Sequence, residues 1–146
     1  MNNELVVTFK WGTSRARNTY GWTTCTCFVN NDKLGKTMGG GYDLKGTAFA
    51  HAMINKFHKE LLPLADRAYS KYTVRGEGKK KAYELIKNPE GNGLYGLTAY
   101  YDENGKPHSV SMDGACGFEA MTHIMETAGF KVKYVKEDVY TLTMPT

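Results

Sequence analysis

Trp22-Thr23-Thr24-Cys25-Thr26-Cys27-Phe28-Val29-Asn30-Asn31-Asp32-Lys33-Leu34-Gly35-Lys36-Thr37-Met38 has the pattern of two strands joined by a turn. Up to Val29, the residues Thr24, Thr26 and Phe28 alternate with Cys25, Cys27 and Val29, and a period of two sends successive side chains to opposite faces of a strand. The β-branched and aromatic content suits a pleated, half-buried surface. Asn30 to Lys33 supplies turn formers, and Leu34 to Met38 returns as the next strand.

Working outward, Leu5, Val7, Phe9 and Trp11 alternate with Val6, Thr8 and Lys10, which predicts a strand before this hairpin. On the other side, Gly39-Gly40-Gly41 ends the meander, because consecutive glycines weaken a ladder. A helix is predicted from Thr47 as N-cap, with Phe49, Met53, Ile54, Phe57, Leu61, Leu64, Ala65 and Ala68 on one stripe. Pro63 falls within that stripe and is expected to kink or split the helix near Leu61.

Residues 73–93, rich in glycine and lysine, read as a mobile or irregular segment with one short helix at Lys81 to Lys87. Leu94 to Tyr101 and Lys106 to Met112 flank Asp102-Glu103-Asn104-Gly105, whose Asn-Gly suits a tight hairpin turn. Phe118, Met121, Ile124, Met125 and Ala128 trace a second helix, stopped by Gly129 with Phe130 as its trailing contact. Lys131 to Tyr134 and Val139 to Met144 close the chain as strands. The expected order is βββ-α-ββ-α-ββ: an α+β single domain over residues 1–146, an antiparallel sheet with two main helices packed on it.

A chain of 146 residues with 41% hydrophobic content is sized for one ordinary core. No run approaches the roughly 20 apolar residues of a membrane span. The start, Met1-Asn2-Asn3-Glu4, passes directly into a strand-like segment, so no secretory leader is expected. Cys25 and Cys27 face the same way on one strand, where a mutual disulfide is strained, and with Cys116 the cysteines number three. These features lead to the expectation of a reduced, cytoplasmic protein without membrane contact. The net charge of +4 tilts its partners toward anions.

Three segments are candidates for chemistry. Thr13 to Gly21 holds Ser14, Arg15, Arg17 and Tyr20, which together suit phosphate clamping and base stacking. Gly40, Gly41, Tyr42 and Asp43 form a glycine-rich entry to the first helix, where backbone amides and the helix dipole favour anions, although neither a P-loop nor a GxGxxG fingerprint is present. Asp113, Gly114 and Cys116 form a second such entry. A thiolate is stabilised at a helix start, so Cys116 is a candidate nucleophile, with His108 and His123 as possible bases that spacing alone does not place. Cys25-x-Cys27 with scattered histidines matches no zinc spacing, and neither a metal nor a cofactor is expected. His51 and His58 share one side of the first helix, Lys79 to Lys81 reads as a solvated run, and the abundant tyrosines suggest an interface.

Phe9-Lys10-Trp11-Gly12 to Arg15, Thr19-Tyr20-Gly21-Trp22, Gly39-Gly40-Gly41-Tyr42-Asp43 and Asp113-Gly114-Ala115-Cys116-Gly117-Phe118 resemble segments of uncharacterised phage and prophage proteins. The resemblance spans the N-terminal half and the start of the second helix. It implies a viral origin, action inside an infected bacterial cell and an accessory, counter-defence role, and it carries over no catalytic residues. The resulting expectation is a non-catalytic homo-oligomer that sequesters a nucleotide or cyclic nucleotide signal through Ser14, Arg15, Arg17, Tyr20 and the two glycine-rich turns. The alternatives are an inhibitor of a host defence nuclease, a nucleic-acid-binding protein, and a Cys116-dependent hydrolase or transferase.

Overall fold

The computed structural model describes residues 3–39, 44–61, 67–72, 79–86, 97–101, 107–112 and 117–145. Strands β1 (Glu4–Thr13), β2 (Thr23–Val29) and β3 (Asp32–Gly39) form the predicted meander. Two further strands, β8 (Lys131–Lys136) and β9 (Val139–Thr143), complete a five-stranded antiparallel sheet of order β3-β2-β1-β9-β8. The central strand β1 thus has β2 on one side and the far end of the chain on the other. Beyond the ladder, the Met144 amide donates to the Asn3 carbonyl at 2.9 Å.

The β2–β3 turn rests on Asn30 and Asn31, both at positive φ (48° and 72°), a conformation asparagine tolerates better than most residues. Asn30 also extends the β1–β2 ladder. Its amide donates to the Val6 carbonyl, and its side-chain oxygen accepts from the Val6 amide, both at 2.8 Å.

Helix α1 (Leu44–Leu61) packs on β2 and β3, while α2 (Phe118–Thr127) packs on α1 and β8. Between them and the sheet lies one core, including Val7, Cys27 and Leu142 from the strands, Phe49 and Ile54 from α1, and Met121 and Met125 from α2. Helix α1 lies directly against β3 at Gly35. A Cβ there would overlap the Ala48 carbonyl oxygen and lie 2.7 Å from the Ala52 nitrogen.

The C-terminus of α2 is closed as expected. Gly129 takes φ 98°, its amide donates to the Glu126 carbonyl, and the Phe130 amide donates to the Met125 carbonyl, the paired bonds of a Schellman cap. Phe130 is buried, its ring 4.7 Å from that of Phe57.

Several expectations are corrected. Helix α1 begins at Leu44 rather than after a Thr47 cap and is described through Leu61, and Pro63, Leu64 and Ala65 of the predicted stripe lie outside the described residues. The helix's irregular residue is Phe57 (φ −119°, ψ 29°). Ala68 lies instead in β4 (Arg67–Tyr72), which pairs with β5 (Lys79–Ile86) where a short helix was predicted. With β6 (Leu97–Tyr101) and β7 (Pro107–Met112) they form a second antiparallel sheet of order β4-β5-β6-β7. The order is therefore βββ-α-ββββ-α-ββ over two sheets rather than one. Lys79-Lys80-Lys81, read as a solvated run, lies on β5 opposite Tyr72, Lys71 and Ser70 of β4. The predicted hairpin over β6 and β7 is present, and its turn lies outside the described residues. β7 lies against α1. Among the described residues, no helix is long and apolar enough to cross a membrane.

Candidate functional site

The connection from β1 to β2 is a loop that binds to itself. The Ser14 amide donates to the Trp22 carbonyl at 2.8 Å, and the Gly21 amide returns to the Ser14 carbonyl at 2.9 Å. Between them, a single 3-10 turn at Arg17–Thr19 is flanked by amide bonds from Thr19 to the Ala16 carbonyl and from Trp22 to the Thr19 carbonyl. Gly21 sits at φ 85°, where a β-carbon is strained.

This arrangement separates the four candidates by role. Ser14 is buried. Its hydroxyl shares a 2.6 Å hydrogen bond with that of Thr19 and accepts from the Ala16 amide, so it ties the loop together from within. Arg15 and Arg17 are exposed, and Tyr20 is 76% exposed. Trp22, at the loop's exit, is also exposed. The loop therefore holds two guanidinium forks and two aromatic surfaces outward from a hydrogen-bonded frame, which lowers the ordering cost of binding.

The other candidates, Gly40, Gly41, Tyr42, Asp43, Asp113, Gly114 and Cys116, lie outside the described residues. The residues just after the two glycine-rich turns do meet. The Lys45 ammonium stands 5.2 Å from the centre of the Phe118 ring, and the Phe49 and Phe118 rings are 4.9 Å apart. The starts of both helices thus converge on Phe9 and Tyr140 of the sheet.

Sequence reasoning missed the polar cluster at this corner. Lys45 Nζ donates to the Tyr140 hydroxyl at 2.7 Å and pairs with Asp138 Oδ1 at 3.3 Å, while Trp11 Nε1 donates to Asp138 Oδ2 at 3.0 Å. Asp138 occupies the β8–β9 turn at φ 61°, and its carbonyl accepts the Phe9 amide. Burial pushes the Lys45 ammonium down, but the bonds to Tyr140 and Asp138 outweigh it and raise the pKa above the ordinary 10.5. Lys45 is charged and already committed to Asp138. Trp11, on the same side of β1 as the buried Val7 and Phe9, is 49% exposed and, with Tyr134 (63% exposed, ring 5.7 Å from Tyr140), flanks this cluster.

Cys25 and Cys27 are buried thiols, not joined to each other. Burial, with the neighbouring Cys25, pushes the Cys27 thiol up to about 12, so it behaves as core. His51 and His58 are half-buried, and His123 is exposed. Among the described residues, no group of three or more His, Cys, Asp or Glu is placed to hold a metal ion. No protein-family model, curated protein or solved structure matches this chain.

Proposed function

We propose that this protein is a non-catalytic binder that sequesters a phosphate-bearing ligand of the nucleotide class, in a counter-defence role inside an infected bacterium. The observation that carries the proposal is the self-bonded loop from Ser14 to Trp22, which presents Arg15, Arg17 and Tyr20 to solvent. A guanidinium offers a planar fork of donors that matches phosphate oxygens, and a tyrosine face accepts a base by stacking. Arginine, tyrosine and tryptophan are also the side chains that contribute most to binding when they leave water.

The test is thermal unfolding against a panel of mono-, di-, cyclic and ADP-ribose-type nucleotides. Ligand at 100 times its Kd adds about 2.7 kcal/mol, a rise of roughly 5 to 10 °C for a domain of this size. A rise confined to one class, and lost in Arg15→Ala/Arg17→Ala, is expected. A flat panel, or a rise that survives the double substitution, would refute the assignment.

A further inference from the structure

The helices cover one face of the five-stranded sheet, and the strand register defines what stands on the other. Thr26 of β2 lies opposite Lys36 of β3 on one side and Lys10 of β1 on the other. The next row runs Lys33, Phe28, Thr8, Val139, Lys136 across all five strands. Two shorter rows follow: Val6, Thr141, Lys133, and Glu4, Thr143, Lys131. All six lysines are exposed. With Glu4 as the one acidic residue in these rows, the face has a formal surplus larger than the whole chain's +4. The rest of the molecule is close to neutral.

We infer that this open face docks nucleic acid by its phosphate backbone, as a second surface distinct from the loop at Arg15 and Arg17. Four strand spacings separate Lys33 from Lys136, about 19 Å, so the positive charge is spread over a span suited to a polymer rather than to one phosphate group. Threonines 8, 26, 141 and 143 stand between the lysines and add hydroxyl donors for phosphate oxygens. The aromatic side chain within the rows, Phe28, has the Lys10 ammonium 5.0 Å above its ring, so it is covered against base stacking. Contact is therefore to backbone and insensitive to sequence.

Edge protection and a protein partner each account for less of this pattern. Lysine on edge strands deters edge-to-edge pairing, which suits β3 and β8, but Lys10 is on the central strand, where no edge exists. A protein partner is disfavoured because interface cores are depleted in lysine and built on uncovered aromatic anchors.

The experiment is fluorescence anisotropy with labelled 20-nucleotide DNA and RNA strands and the DNA duplex, all of random sequence, between 50 and 200 mM KCl. One phosphate contact for each of the six lysines predicts that affinity falls on the order of 100-fold or more over that range, with little difference between sequences. Lys10→Gln/Lys36→Gln/Lys133→Gln is expected to keep the wild-type melting temperature and nucleotide response while losing most polymer binding. Each single substitution should lower the log–log salt slope by about one contact. Lys56→Gln/Lys59→Gln, on exposed positions of α1, is the control and should bind as wild type. Polymer binding unchanged in the triple variant, a flat salt dependence, or association only with anionic lipid vesicles would overturn the inference. Because the nucleotide response is read separately, failure here is distinguishable from failure of the loop.

Discussion

Lys45, the second residue of α1, and Phe118, the first residue of α2, meet with the ammonium 5.2 Å from the ring centre, and this contact joins the two helix starts over the sheet. The same ammonium also faces Phe9 and Tyr140, at 5.2 and 4.6 Å, so one charge holds together four elements. Its counter-ion, Asp138, belongs to the turn that closes the sheet on the far side of β1.

Lys45→Met keeps the apolar stem but removes the charge, leaving the Asp138 carboxylate without its cation. The expected loss is about 1 to 3 kcal/mol, read as a lower urea midpoint with an unchanged slope. Lys45→Met/Asp138→Asn should cost less than the sum of the single changes, because the second substitution removes the orphaned charge.

Gly35→Ala is expected to be among the most damaging single methyl additions. The new carbon would overlap the Ala48 carbonyl and crowd the Ala52 nitrogen and His51 Cβ, all on α1, and backbone cannot rotate aside as a flexible side chain can. A loss of at least about 1 to 3 kcal/mol is expected, measured by chemical unfolding.

Burial of the His51 imidazole lowers its pKa below the ordinary 6.5. The unfolded chain therefore takes up a proton before the folded one does. Stability present above pH 6.5 should be lost as the pH falls through the folded value. Urea midpoints at pH 7.5, 6 and 5 should decline, and more shallowly in His51→Gln.

Cys27 gives the opposite sign. With its thiol moved from 9.0 to about 12, the folded protein retains a proton that the unfolded chain loses, so stability falls as pH rises through that window, and less so in Cys27→Ala. At pH 8, iodoacetamide should label Cys27 slowly in the native protein and rapidly in urea, as followed by peptide mass spectrometry.

Local order fixed much of this protein in advance. The alternation in β1 and β2, the asparagine turn and the glycine cap of α2 are each decided within a few residues, by sterics and hydrogen bonds that neighbours satisfy for one another. The loop from Ser14 to Trp22 was legible as a cluster of residue types, yet its composition alone did not separate Ser14, which turns inward, from Arg15, Arg17 and Tyr20, which face outward. Lys79 to Lys81 is the counter-example: three like charges read as a solvated run, and only pairing with β4 makes that run a strand.

What only the tertiary structure decided is which distant segments share a surface. Trp11 reaches Asp138 across 127 positions, and Lys45 reaches Tyr140 across 95. The six lysines of the open face come from β1, β3 and β8, and they align only because β1 accepts β2 on one side and β9 on the other. Periodicity states which residues of a strand share a side, but the choice of neighbouring strand depends on packing and on chain closure over long separations, which no local pattern encodes.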